Sequence, residues 1–332
     1  MTSDAQKLLR VAVIGATGTL GRELIGQLAE RRFPIQELVP IASDHSFGED
    51  VEWLGHELPI VTEHKLAGLD LVFLCTPPSA APEWLRAALT ARVPCIDCSG
   101  AGAAREEIPL LDPERAPSAT ALASPVLAVP SPAALALARV VSALAGSAAV
   151  QRVLATVVES ASSAGRAGID ALQAETIALF AQQDPPEETP FTHGVAFDAL
   201  PATGPIGVGD LTASEAATQR DFARLAPGVR LAVSALRVPT FSGLGVQAAL
   251  ELAAPLAPEA IEKLLDEASG TRVFGTPAGP SLRDASGDAD VLVGRVRVDP
   301  SRVNGALLWL ALDPVRVVAS AAVRLAELRA AR

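Results

Sequence analysis

The N-terminal stretch constrains the chain most. Val11-Ala12-Val13-Ile14 is a short apolar run, rich in β-branched side chains, of the kind that forms a strand buried on both faces of a parallel sheet. Gly15-Ala16-Thr17-Gly18-Thr19-Leu20-Gly21 follows, and a helical pattern opens at Arg22-Glu23-Leu24-Ile25. A strand, a Gly-x-x-Gly-x-x-Gly turn and a helix in that order let the backbone approach a pyrophosphate, whose charge then sits on the helix N-terminus. A tight turn without any ligand would use the same glycines. At the end of the second strand an acidic residue would take the ribose hydroxyls of NAD, and an Arg would favour NADP. The stretch there, Ala42-Ser43-Asp44-His45-Ser46, holds no Arg, so NAD and NADP both remain open.

Strand and helix signals keep alternating. Glu37 to Ala42, Asp70 to Leu74 and Val93 to Asp97 read as further strands, with a helix around Trp84 to Ala91. That alternation, over roughly 125 residues, predicts a doubly wound α/β sheet. The texture then changes. Arg152 to Ser160 and Val229 to Val238 read as longer strands around an amphipathic helix, Ala167 to Gln182. Gly245 to Leu252 and Val291 to Val298 flank another helix, Pro258 to Ala268. This order predicts a mixed, largely antiparallel sheet with helices on one face. The expected domains are 1–131 and 132–313, with the last helix, in 314–332, packing back on the first. At 332 residues the chain is long enough for both cores.

Charge and residue counts exclude several classes. Lys+Arg 27 against Asp+Glu 38 gives a net charge of −11, which repels phosphate backbones, so no nucleic-acid partner is expected. There is no Tyr, which rules out chemistry that needs a phenol. The longest apolar stretch, Ala133 to Val150, is Ala-rich and interrupted by Arg139, too weak to span a bilayer. Met1 to Arg10 carries Asp4 and no signal-peptide pattern, so a cytoplasmic location away from membranes is expected. The three cysteines, Cys75, Cys95 and Cys98, form no disulfide framework. Cys95-Ile96-Asp97-Cys98 has redox spacing, but strand residues three apart face opposite ways, so both are expected to pack around the fourth strand. His56, His64 and His193 show no ligand spacing, and no metal is expected.

Three separated blocks resemble one family, the aspartate-semialdehyde dehydrogenases. The first is Val11 to Leu24 with Phe33-Pro34 and Leu38 to Gly48. The second joins Phe191 to Asp198 with Ala235-Leu236-Arg237-Val238-Pro239-Thr240-Phe241-Ser242-Gly243. The third is Val293 to Arg297 with Asn304-Gly305 and Trp309. The resemblance implies a Rossmann-like doubly wound N-terminal domain plus an α+β dimerisation domain, working as a homodimer. It also implies NADP-dependent reductive dephosphorylation of an acyl phosphate in amino-acid biosynthesis. In that chemistry a Cys thiolate at a helix N-terminus, where its pKa is lowered, gives a thioacyl enzyme, and a His serves as acid and base. Gly15, Thr17, Gly18, Thr19, Leu20 and Gly21 are the implied cofactor contacts, with Ser163 and Gly165 in a second turn, Ser162-Ser163-Ala164-Gly165. Arg237 is the implied substrate-carboxylate residue.

The central positions depart from that pattern. The family's Asn-Pro-Asn-Cys-Ser-Thr loop falls on Val129-Pro130-Ser131-Pro132-Ala133-Ala134, which puts Pro132 at the nucleophile position. The family's His falls on Leu244, its active-site Gln on Glu159, and an active-site Glu near Arg220. Its phosphate-binding Arg falls on Ala103, two residues from Arg105, and the Arg for a 2′-phosphate falls on His45. Ser131 reads as a helix N-cap ahead of Pro at the first helical position. The expectation is therefore a dehydrogenase-like chain that keeps NADP or NAD binding and lacks the reaction. The alternatives are an active enzyme with an unorthodox nucleophile, and a structural partner that forms a heterodimer with an active homologue.

Overall fold

The computed structural model describes residues 7–63 and 65–331, so Asp4 and His64 lie outside the described residues. The chain divides into one unit within 1–130 and 318–332, and a second, Ser131–Val317.

The first unit runs β1 (Leu9–Ile14), α1 (Thr19–Glu30), β2 (Ile35–Ile41), β3 (Asp50–Trp53), β4 (His56–Pro59), β5 (Leu71–Leu74), α2 (Ala81–Ala91), β6 (Cys95–Asp97), α3 (Ala119–Leu122) and β7 (Val126–Ala128). Five strands pair in parallel in the order β2-β1-β5-β6-β7. Val11 to Ile14 and Leu71 to Leu74 are buried, as an unbroken apolar run in a sheet covered on both faces must be. The sequence reading missed β7, whose three residues are too few to show a period. It also missed the β3–β4 hairpin. The hairpin's two-residue turn, Leu54-Gly55, has positive φ at both positions, 51° and 81°. That is type I′ geometry, with Leu54 where Asn or Asp is the usual signal.

The second unit holds α4 (Pro132–Leu144), β8 (Val150–Glu159), α5 (Gly165–Phe180), α6 (Ala213–Leu225), β9 (Arg230–Arg237), β10 (Leu244–Leu252), α7 (Pro258–Glu267), β11 (Thr271–Val273), β12 (Val291–Val298) and β13 (Gly305–Leu312). Its sheet runs β11-β12-β13-β10-β8-β9, antiparallel in the middle and parallel at the two outer pairs. The apolar stretch after Ser131 becomes α4, a helix buried almost all round, whose Arg139 donates to the Gly270 carbonyl at 2.9 Å. Among the described residues no helix is long and apolar enough to cross a membrane. The closing helix α8 (Pro314–Ala330) belongs to the first unit from Val318 onward. Within that unit, Arg31 holds Glu327 through two parallel contacts of 2.8 and 2.6 Å.

Helix α6 opens with a capping box. Glu215 accepts the Thr212 N–H and hydroxyl, both at 2.8 Å, and its other oxygen accepts the Ala235 N–H of β9 at 2.8 Å. Burial pushes the Glu215 carboxyl up, but these hydrogen bonds outweigh it and hold the group below its ordinary 4.5. A depressed carboxyl stabilises the fold above its unfolded pKa and loses that contribution as pH falls through the folded value. Glu215→Gln is therefore expected to cost about 1–3 kcal/mol at neutral pH. In urea denaturation at several pH values, the gap between the two proteins should close toward the acid end.

Candidate functional site

Strands β2 and β5 flank β1 on opposite sides, so the chain reverses its direction of travel across the sheet at β1 and β5. Ligands of such sheets bind outside the C-terminal strand ends at that point. The glycine loop leaves β1 there. Gly15 has φ +85°, and a Cβ on it would meet the Cys75 carbonyl oxygen at 2.6 Å. A Cβ on Gly21 would meet the Gly15 carbonyl oxygen at 2.1 Å. Gly18 is the N-cap of α1, with no capping side chain, and no acid stands in the first turn, which holds Thr19, Leu20 and Gly21. The cradle thus offers bare helix N–H groups to an anion. Thr17 shares a 2.9 Å hydrogen bond with Ser46 across the loop. Thr76, just after β5, has a buried hydroxyl with no hydrogen-bond partner, beside Gly15. The sequence reading did not single it out, because a threonine before two prolines carries no pattern of its own. Cradle and orphan hydroxyl fit the phosphates of NAD or NADP. The reactive chemistry such a cofactor supplies is hydride transfer. His45 is exposed and Ala103 fully buried, so neither offers a guanidinium.

The thiols lie in this unit and all are free. Cys95 is buried in β6, and burial pushes its thiol far up. Cys98 corrects the expectation of simple packing on a strand. It follows the end of β6, donates its N–H to the Leu74 carbonyl at 2.9 Å, and has the Cys75 thiol as hydrogen-bond neighbour. That contact and burial raise the Cys98 thiol well above its usual value, so neither Cys95 nor Cys98 is poised as a thiolate.

In the second unit, strand register aligns three of the departed or retained positions. Leu244 of β10 is opposite Glu159 of β8, and Glu159 is opposite Arg237 of β9. All three are buried. Arg237 reaches Glu159 from Nη2 at 3.3 Å and donates from the same nitrogen to Ser163 Oγ at 2.8 Å. Its guanidinium lies 4.6 Å over the Phe191 ring, and its Nε is buried with no partner. Burial pulls the Arg237 guanidinium below its usual value, and Glu159 opposes that shift. The second Glu159 oxygen accepts the Ser214 hydroxyl from α6. On that helix it is Ser214 that reaches Glu159, whereas Arg220 pairs with Asp221 at 2.7 Å. Ser163 also donates to the Ser160 carbonyl at 3.0 Å, and Gly165 supplies the positive φ, +68°, that starts α5.

Pro132 is the first residue of α4 and Ser131 is its N-cap. The expected hydroxyl cap is absent. Asp221 accepts the Ser131 N–H at 2.8 Å, and Ser131 Oγ is buried without any acceptor or donor. Pro132 and Leu244 carry no ionisable group, so those two positions supply neither a nucleophile nor a proton carrier. His193 is exposed, and among the described residues no cluster of His, Cys, Asp or Glu could hold a metal ion.

Two family models match the chain in order: the semialdehyde dehydrogenase NAD binding domain over residues 10–123, and the semialdehyde dehydrogenase dimerisation domain over 141–317. An aspartate-semialdehyde dehydrogenase of Synechocystis sp. is 30% identical over 328 residues, covering 96% of this chain and 97% of that protein. The crystal structure of aspartate semialdehyde dehydrogenase II from Vibrio cholerae is similar with a TM-score of 0.91 at 29% identity, covering 97% of this chain and 98% of that one. A probable aspartate-semialdehyde dehydrogenase from Pseudomonas aeruginosa follows at 0.88 and 28%, with the same coverage. Matched in both halves and along nearly its whole length, the chain belongs to the semialdehyde dehydrogenase family, within the aspartate-semialdehyde dehydrogenase superfamily.

Proposed function

We propose that this chain is a dinucleotide-binding, dimer-forming member of its family that lacks the interconversion of aspartyl phosphate and aspartate semialdehyde. The start of α4 carries the proposal. The resemblance puts a thiolate at Pro132, and all three cysteines of the chain belong to the other unit. The proton carrier's position is Leu244, a buried side chain. The rival, an active NAD(P)-dependent enzyme with an unorthodox nucleophile, would use Ser131 or Cys75. Against the first, the Ser131 hydroxyl makes no hydrogen bond to any base, and the nearby Asp221 carboxylate is engaged by the Ser131 N–H instead. Turnover assays on the purified chain separate the two, with no product expected.

Cofactor binding is the retained half, supported by the glycine cradle and Thr76. Calorimetric titration is expected to show binding of NADP or NAD. Gly21→Ala, which forces a Cβ against Gly15, is expected to weaken it about tenfold or more. No heat and no thermal shift with either nucleotide would remove this half of the proposal.

The second unit exposes Leu154 on β8, Ile177 and Phe180 on α5, and Phe197, whose ring meets Phe180 edge-on at 5.6 Å. Exposed apolar side chains of this size favour a protein–protein contact. A second copy of the chain is the proposed partner, and an active homologue forming a heterodimer is the alternative. The proposed domain limits are 1–131 and 132–313, with 314–332 returning to the first.

A further inference from the structure

We propose that Glu159 is a resident carboxylate that occupies Arg237 and closes this site to carboxylate ligands. The proposal deepens the loss of activity argued above, and it rests on the family resemblance for treating Arg237 as a carboxylate-binding position. Both side chains are about 95% buried, each with 5% of its side-chain surface exposed. A guanidinium so far from water needs an anion, and the register places one on the neighbouring strand at its own level. Glu159 is fixed from the other side by the Ser214 hydroxyl, so it cannot swing away without losing that bond.

The internal pair is geometrically incomplete. An Arg fork matches a carboxylate through two parallel N–H groups, yet Glu159 touches only Nη2, at 3.3 Å, and Nε stays buried and unpaired. Glu159 thus supplies the charge without filling the fork. An incoming carboxylate would meet the Glu159 charge in a buried setting, where like charges repel strongly. A neutral amide at position 159 would remove that repulsion and leave Nε open to a new acceptor, with Nη2 still donating to Ser163 at 2.8 Å.

The test uses the full chain and succinate as the probe, with succinamide as its uncharged counterpart. Calorimetry and thermal unfolding are run on the unaltered protein, on Glu159→Gln and on Glu159→Gln/Arg237→Met. The Gln variant is expected to bind succinate about 10- to 100-fold more tightly than the unaltered chain, with a succinate-dependent rise in its unfolding midpoint. Succinamide should have no effect, and the double variant should lose the gain. Should the Gln variant unfold too readily for calorimetry, Glu159→Ser removes the same charge and is expected to show the same preference. Equal succinate binding by the unaltered protein and the variants would overturn the proposal, and so would absence of binding to every charge-removing variant. Turnover by the unaltered chain would instead defeat the proposed loss of activity and leave this binding comparison standing.

Discussion

Given aspartate semialdehyde, phosphate and NADP, the purified chain is expected to form no NADPH above background, and Pro132→Cys alone is expected not to restore it. Removing the nucleophile from an enzyme that works through a covalent intermediate costs on the order of 10⁴–10⁶-fold in turnover. General acid–base catalysis contributes ~10²–10⁴-fold, and the resemblance puts its carrier at the position of Leu244. A cysteine at position 132 would regain a thiol at a helix N-terminus, where its pKa falls. A leucine would still stand where the resemblance puts the proton carrier, and Arg237 would still be paired with Glu159. Combining Pro132→Cys with Leu244→His and Glu159→Gln is therefore expected to exceed the single change by about 10²-fold. Turnover by the unaltered chain that Ser131→Ala or Cys75→Ser abolishes would favour the unorthodox nucleophile.

Arg237→Met is expected to be the most damaging single change to stability in the second unit, at about 3–5 kcal/mol in denaturant unfolding. The loss is not the strength of one 3.3 Å contact. It is the cost of leaving the Glu159 carboxylate charged and buried with only Ser214 for company. Glu159→Gln/Arg237→Met is expected to recover most of the stability, because no uncompensated charge remains. Exposed pairs provide the contrast. Arg10 and Glu37 meet at 2.7 Å with about half of each side chain in water, and separating them should change little.

The elements read most closely from sequence are those with strong local signals. β12 is Val291–Val298, the limits the residue pattern predicts, and α8, Pro314–Ala330, falls within the predicted 314–332. In α8 the signal is chemical: Asp313 accepts the Val315 and Arg316 N–H groups ahead of a proline at the first helical position. β13 was missed as a strand because Gly305–Leu312 is a continuous apolar run, equally compatible with a buried helix. The site was legible only as single positions. Glu159 and Arg237 are 78 residues apart, and nothing local announces that parallel pairing of β8 with β9 sets them side by side. The Thr76 hydroxyl, the bare Ser131 hydroxyl and the Cys75–Cys98 contact are likewise products of packing.

The most direct check is the intact mass of the chain after incubation with aspartate semialdehyde and NADP in the absence of phosphate. In the chemistry that the resemblance implies, the aldehyde loses hydride to NADP and stays on the nucleophile as an acyl group, which phosphate then accepts. The mass is expected to be unchanged, with no NADPH formed. An added aspartyl group on the Ser131 or Cys75 peptide, matched by an equal amount of NADPH, would contradict the loss of function proposed for this chain.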